Sequence, residues 1–280
     1  MLMAAGIQVD AYGQTDIGRQ RPENQDQYLV AALHKVVEIA QTSLPEQYRT
    51  RFDSGARALL VLVADGVGGT VRGGEASSIT LDTIVHYVTN SMRCFYKLDE
   101  QVQQDLLEEL AHSVQESHAR VREKAEREGV MARMATTLTM AHVLWPRAYV
   151  VQIGDSRCYH LRGAALRKLT RDQTFAQELL ERGALTAAEA EQSPLSQVLT
   201  RAIGGEGSEL MPEIGQVALE PGDALLLCTD GLTKHVPDAA IAAILASAAT
   251  ATAACQALIA AALEDGGSDN VTAVVCRFAA

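Results

Sequence analysis

No stretch of this chain is basic. Lys and Arg total 24 against 35 Asp and Glu, a formal net charge of −11 over 280 residues. Binding to nucleic acid rests on clustered cations that neutralise phosphates, so no nucleic-acid partner is expected. Aromatic residues make up only 4% of the chain, and no aromatic platform for stacking single-stranded bases stands out. Cysteines are few and scattered, at positions 94, 158, 228, 255 and 276, with no Cys-x-x-Cys pair. Cys158, Cys228 and Cys276 fall in strand-like apolar stretches and read as buried, reduced thiols, which suits the cytoplasm. The N-terminus lacks a basic segment followed by a long apolar run, so no secretory signal is expected. Charge is also missing from Ala239 to Leu263, a length that would span a bilayer. That stretch is mostly alanine, and Thr250 and Thr252 split it into two stripes, Ile241, Ile244, Leu245 and Leu258, Ile259, Ala262. Two surface-packed helices are expected there, and no membrane span. There is no internal repeat and no low-complexity linker, and nearly half of the residues are hydrophobic, enough for one sizeable core.

What is present is a repeated device. Leu59-Leu60-Val61-Leu62-Val63-Ala64 is a continuous apolar run that ends in Asp65-Gly66, with further glycines at 68, 69 and 73. Such a run reads as a strand buried on both faces. Glycines after it let the backbone turn sharply and approach a ligand. Taken alone, Asp65 could equally be the first residue of a tight turn. Ala224 to Cys228 is a second apolar run, ending in Thr229-Asp230-Gly231, and Val150 to Ile153 is a third, ending in Gly154-Asp155. Three buried strands that each deliver an aspartate can bring them together in one place. Carboxylates that converge repel one another unless cations sit between them.

The remaining chain supplies the frame. Ile7 to Gln14 and Tyr28 to Leu33 read as strands, and residues 34–57, with no clear period, as an insertion. Helical spacing runs from Glu75 to about Cys94 and from about Asp99 to Arg127. Thr136 to Trp145, the Val150 strand, Cys158 to Leu161 and Leu166 to Leu169 read as strands. The polar segment of about 170–210 reads as a flap with short helices over 175–182, 186–192 and 196–203. Pro212 to Leu219 and Asp223 to Thr229 read as a strand pair joined by Glu220-Pro221-Gly222. A turn carrying Asp269 leads into a last strand. This order does not alternate β-α-β-α regularly and fits two sheets with helices outside, an α+β layered design.

Asp26, Asp65, Asp155, Asp230 and Asp269 all fall at strand ends beside small residues. Oxygen-only ligands point to Mg²⁺ or Mn²⁺ rather than zinc. The spacing of an EF-hand is absent, and the glycine-rich loop has neither the Gly-Lys-Ser/Thr of a P-loop nor, with Val71 in its place, the third glycine of a dinucleotide fingerprint. Four or five carboxylates can hold two cations roughly 3.5–4 Å apart and so neutralise a phosphoryl group.

In these motifs the chain resembles the metal-dependent protein phosphatase family (PP2C, PPM), most of all its bacterial members. The matching pieces are Arg21-Pro-Glu-Asn-Gln-Asp26, Asp65-Gly-Val-Gly-Gly69, Thr136-Thr-Leu138, Ile153-Gly-Asp-Ser-Arg157, Leu199-Thr-Arg-Ala-Ile-Gly204, Cys228-Thr-Asp-Gly-Leu232 and Ser268-Asp-Asn-Val-Thr272. They follow family order over nearly the whole length. The resemblance implies one domain with a PP2C-like β-sandwich, two mixed or antiparallel sheets flanked by pairs of α-helices. It implies hydrolysis of phosphoserine and phosphothreonine on proteins by a water activated between two Mn²⁺ or Mg²⁺ ions, without a phosphoenzyme. Asp65 would bridge both ions, the Gly66 carbonyl would bind one, Asp230 and Asp269 would hold the first, and Asp26 would act mostly through water. Asp155 would help bind a third, weaker ion. Arg21 would grip the phosphate, as its planar fork suits. With Asp65 and Asp230 it forms the expected catalytic set.

Three residues depart from the family pattern. Gln25 stands where Glu is usual, which implies weaker support for metal-bound water. Val67 stands where many eukaryotic members have a His proposed as general acid. Lys234 stands where many have Asp, so its cation would weaken the third metal site or bind phosphate itself. His235 is open as a general acid or a turn histidine, and Arg201 as a substrate contact or a solvated side chain. His142 and His160 read as structural, Arg157 as the partner of a carboxylate, and Asp172 as a helix cap. The implied partners are phosphoproteins made by a bacterial Ser/Thr kinase, met by a monomeric enzyme. A catalytically dead module of the same fold that binds phosphoproteins stands as the alternative, supported by Gln25 and Lys234. A metal-dependent nuclease or phosphodiesterase is disfavoured by the acidic charge and lack of aromatic platforms.

Overall fold

The run Leu59 to Ala64 alternates between two cores, which is why none of it is polar. Leu59, Val61 and Val63 pack into a layer between two sheets. Leu60 and Leu62 point the other way, under two long helices. Side chains along a strand alternate faces, so a strand covered on both sides needs apolar residues at every position. The computed structural model describes residues 2–4, 7–36, 53–67, 72–90, 100–130, 134–207 and 209–279. The insertion read at 34–57 lies outside them from residue 37 to 52, as do Gly68, Gly69, Val71 and Cys94.

The chain begins with β1 (Leu2–Ala4), β2 (Ile7–Asp16), β3 (Gln27–Val36), β4 (Asp53–Ala64) and β5 (Gly66–Val67). The helices α1 (Gly73–Asn90) and α2 (Glu100–Glu128) follow. Then come β6 (Ala135–Thr136), β7 (Leu138–Leu144), β8 (Arg147–Ile153), β9 (Arg157–Arg162) and β10 (Ala165–Lys168). The flap segment holds α3 (Phe175–Glu181), α4 (Ala187–Gln192) and a 3₁₀ turn at Pro194–Gln197. The last elements are β11 (Glu213–Ala218), β12 (Ala224–Cys228), α5 (Asp230–Thr233), α6 (Asp238–Ser247), α7 (Ala251–Glu264) and β13 (Val271–Ala279).

One sheet runs β1-β2-β13-β12-β9-β10 and the other β11-β8-β7-β4-β3; β5 and β6 form a small ladder of their own. Every pairing is antiparallel. The sheets face each other over one core, to which β12 and β13 contribute Leu225, Leu227, Val274 and Cys276. Helices α1 and α2 cover the outer face of the second sheet through Ile84, Leu106 and Leu110. Helices α6 and α7 cover that of the first, with Ile241, Leu245, Leu258 and Ile259 against Leu226 and Val275. The two stripes of the alanine-rich stretch are thus helix faces on a sheet, and no helix among the described residues is long and apolar enough to cross a membrane. Cys158, Cys228, Cys255 and Cys276 are buried free thiols. The layers are those of an α+β sandwich flanked by helix pairs.

Three readings of the sequence are corrected. Residues 213–218 and 224–228 do not pair with each other: β11 pairs with β8 in one sheet, and β12 lies between β9 and β13 in the other. Glu220-Pro221-Gly222 carries the chain across the sandwich instead, held by Leu219 N–H on the Pro146 carbonyl and Gly222 N–H on that of Phe278. Residues 198–203 are not helical. Their backbone bonds to other segments, Phe175 N–H to the Val198 carbonyl and Thr200 N–H to that of Gln173, while Ile203 and Thr136 exchange both bonds. Asp172 is not a cap. Thr174 caps α3, and Asp172 takes a two-pronged contact from Arg157, Nε at 3.1 Å and Nη2 at 2.7 Å.

Candidate metal centre

The strand tips converge at one end of the sandwich. Asp65 leaves β4, Asp155 leaves β8, Asp230 opens α5 directly after β12, Asp269 precedes β13, and Asp26 precedes β3. Arg21, Asp65, Gly66, Asp155, Asp230, Lys234 and Asp269 line one cavity of about 230 Å³. Asp26 stays behind its wall, 2% exposed.

Polar residues that interrupt otherwise apolar runs hold the Asp65 backbone, the Asp26 carboxylate and the turn that carries Asp269. Asp65 N–H donates to Thr137 Oγ1, and its carbonyl accepts from Thr137 N–H and from the Thr136 hydroxyl. Thr137 Oγ1 also meets Ser156 Oγ at 2.8 Å, so the tips of β4, β7 and β9 are tied together. Asp26 Oδ2 accepts from the hydroxyls of Thr229, at 2.8 Å, and Thr272, at 2.7 Å. Asn270, beside Asp269, donates to the carbonyls of Ile17 and Glu23 and accepts from Gln25 N–H. That one amide fixes the loop carrying Arg21 against β13. These threonines and Asn270 were visible in the sequence as polar residues inside apolar runs, but nothing local assigned them partners.

Two glycines have no room for a side chain. A Cβ on Gly66 would lie 2.3 Å from the carbonyl carbon of Gly73, and one on Gly231 would lie 1.9 Å from the Asn270 carbonyl oxygen. The first brings the turn after Asp65 against the start of α1. The second seats Asp230 beside Asp269.

Crowding shows in the proton affinities. Burial pushes Asp26 up to about 7, against the hydrogen bonds from Thr272 and Thr229. Burial, then the charges of Asp230 and Asp172, take Asp155 to about 8. Asp65 is raised well above the usual carboxylate range by burial and by Asp26, Asp230, Asp155 and Asp269 in turn. Asp269 behaves otherwise: burial opposes its charge, yet hydrogen bonds from Arg21 and Lys234 hold it below the usual range. Arg21 Nε lies 2.7 Å from Asp269 Oδ1. Lys234 Nζ lies 2.6 Å from Asp230 Oδ2 and 2.8 Å from Asp269 Oδ2.

The donors fit a hard divalent ion. All are oxygens, and the buried atoms Asp26 Oδ1 and Asp230 Oδ1 have no hydrogen-bond partner, a costly state that a cation would relieve. As placed, however, no three His, Cys, Asp or Glu side chains among the described residues converge on one point closely enough to hold a metal. The side-chain cations of Lys234 and Arg21 hold oxygens of Asp230 and Asp269 instead.

The other candidates are placed too. His235 Nδ1 meets Asp265 Oδ2 at 3.0 Å, and its Nε2 accepts from Ser268 N–H, which braces the turn before Asp269. Val67 lines the cavity. His160 Nε2 lies 2.8 Å from Asp223, and His142 is buried with Nδ1 unpartnered. Arg201, exposed, donates to the Met211 carbonyl.

Comparison with known proteins gives the family. Residues 39–265 match the family model described as protein phosphatase 2C. The serine/threonine protein phosphatase PstP of Mycobacterium tuberculosis is 34% identical over 248 residues, 85% of this chain and 46% of that protein. The chain thus spans about half the length of PstP. Protein phosphatase PhpP of Streptococcus pneumoniae is 30% identical over 259 residues, 92% of this chain and 93% of PhpP. A solved PstP catalytic domain in complex with two manganese ions superposes with a TM-score of 0.73 at 28% identity, covering 98% of this chain and 99% of that one. The chain belongs to the protein phosphatase 2C family.

Proposed function

We propose that this protein is a metal-dependent protein-serine/threonine phosphatase acting on phosphoserine and phosphothreonine. One observation carries the proposal: acidic side chains from separate strand tips meet Arg21 in a single cavity, with buried carboxylate oxygens left unpartnered. Asp26, Asp65, the Gly66 carbonyl, Asp230 and Asp269 would hold two Mn²⁺ or Mg²⁺ ions, with Asp155 contributing to a third. Ions bound there supply charge neutralisation at phosphorus and lower the pKa of a nearby water for in-line attack, with no phosphoenzyme.

The remaining steps belong to side chains of the chain itself. Arg21, 42% exposed at the side chain, lines the cavity; its planar fork, closed here on both oxygens of Asp269, would turn to two phosphate oxygens when substrate binds. The threonine clamp on the Asp65 backbone fixes where that residue leaves its strand and so sets the position of its side chain at the cavity. Val67 can donate no proton, so the leaving serine or threonine oxygen takes its proton from solvent. Its substrates would be phosphoproteins, the class of substrate in the names of PstP and PhpP; these would be products of a bacterial Ser/Thr kinase, and the protein would act as a cytoplasmic monomer.

Purified protein is expected to hydrolyse a phosphothreonine peptide and an aryl phosphate with Mn²⁺, and to stop after chelation. Asp230→Asn is expected to abolish turnover; full activity in that variant would remove the metal assignment. One observation favours a second reading, a phosphoprotein-binding module without turnover: Lys234 lies between two of the ligands. Calorimetry decides it, since tight phosphopeptide binding with no hydrolysis at saturating metal would select the module.

A further inference from the structure

Lys234 is built into the centre rather than set at its rim. It lies one helical turn after Asp230, 22% exposed at its side chain, and borders both the 230 Å³ cavity and a neighbouring one of 540 Å³. Its ammonium approaches oxygens of two carboxylates carried by different elements, at 2.6 Å and 2.8 Å. Arg21 holds both oxygens of Asp269, Nε on Oδ1 at 2.7 Å and Nη2 on Oδ2 at 2.9 Å, so Oδ2 is shared with Lys234. The second oxygen of Asp230 faces no donor. A divalent ion bound to those same oxygens needs them at roughly 2.0–2.6 Å. Two cations cannot share that space, since their repulsion at such a distance is severe in a partly buried site.

We propose that Lys234 is a tethered cation that keeps Asp230 and Asp269 together in the metal-free protein and must withdraw before a divalent ion enters. This rests on reading those aspartates as metal ligands. The lysine stem has a place to go, because the larger cavity beside it carries Glu191 as well as Asp172, which Arg157 and Lys168 already hold. Removal of a competing charge therefore tightens metal binding, and the same removal leaves the metal-free protein with Arg21 alone to offset the repulsion between Asp230 and Asp269.

Titration calorimetry with Mn²⁺ alone, on wild type, Lys234→Met and Lys234→Gln, tests this together with the melting temperature of each metal-free protein. Both neutral variants are expected to bind Mn²⁺ at least about tenfold more tightly and to melt lower without metal. Unchanged or weaker Mn²⁺ affinity in folded variants overturns the proposal. A second measurement needs no variant. Acetylation of wild-type lysines, followed by mass spectrometry, is expected to label Lys234 slowly without metal and several-fold faster at saturating Mg²⁺. Equal or slower labelling overturns it as well. Asp230→Asn keeps the two failures apart: if it binds Mn²⁺ as wild type does, the metal assignment itself fails, whatever Lys234 does.

Discussion

The α-carbon of Gly231 rests against the carbonyl oxygen of Asn270, so closely that a methyl group there would lie 1.9 Å from the oxygen and 3.4 Å from the Asp269 side chain. The residue after one proposed ligand is therefore packed on the residue after another. Gly231→Ala is expected to push α5 away from the Asp269 turn. The Mn²⁺-dependent rate should fall by an order of magnitude or more, with a loss of stability of about 1–3 kcal/mol from overpacking. Phosphatase assay and urea unfolding of the variant check this.

Asn270 is 5% exposed and makes three hydrogen bonds to the segment that carries Arg21. Asn270→Ala is expected to cost about 1–3 kcal/mol for the groups left unpaired and to raise KM for a phosphopeptide as Arg21 loses its anchor. Asn270→Asp should be at least as harmful, because the oxygen in place of Nδ2 would face two carbonyl acceptors. Steady-state kinetics and thermal melts of both variants test it.

Divalent ions should stabilise the folded chain, because the centre exists only when the strand tips are assembled. At a hundred times its dissociation constant, a ligand that binds only the native state adds about 2.7 kcal/mol. For a chain of this size that is a rise in Tm of about 4–5 °C. Differential scanning calorimetry with and without Mn²⁺, and again after chelation, reads the shift and its reversal.

Asp223 governs a different pH range. Burial opposes its charge, but hydrogen bonds from Arg162, His160 and the Glu220 N–H bring it down to about 2. An aspartate in the unfolded chain titrates near ~3.9. A folded-state value below the unfolded one stabilises the protein above pH ~4, and that contribution is lost as pH falls through about 2. Asp223→Asn should be less stable than wild type at neutral pH and should vary less between pH 4 and 2. Urea unfolding across that range decides it.

Much of the fold was legible because its strands are covered on both faces. Leu59 to Ala64 and Ala224 to Cys228 had to be apolar throughout, and each run stopped where a carboxylate emerged. The alanine-rich helices were legible for the complementary reason: each buries only one stripe. Positions 198–203 misled because an apolar and polar mix over six residues suits a helical turn as well as an extended segment, and the choice was made by Gln173, Phe175 and Thr136, which take up its backbone bonds. The link at Glu220-Pro221-Gly222 misled in the same way, for a turn sequence states that the chain reverses without saying which sheet it joins.

The aspartate set was likewise legible as residue types at strand ends, and Lys234 as a departure from the family pattern. The linear chain by itself determined what must be buried, where buried strands end, and which charges stand at those ends, since these follow from periodicity and solubility over a few neighbouring residues. Only the tertiary structure decided that Asn270 anchors the Arg21 loop, that Thr229 and Thr272 share one oxygen of Asp26, and that an ammonium stands between Asp230 and Asp269. Those relations depend on separations of a few ångströms between segments far apart in sequence, and such distances exist only once the two sheets have closed on each other.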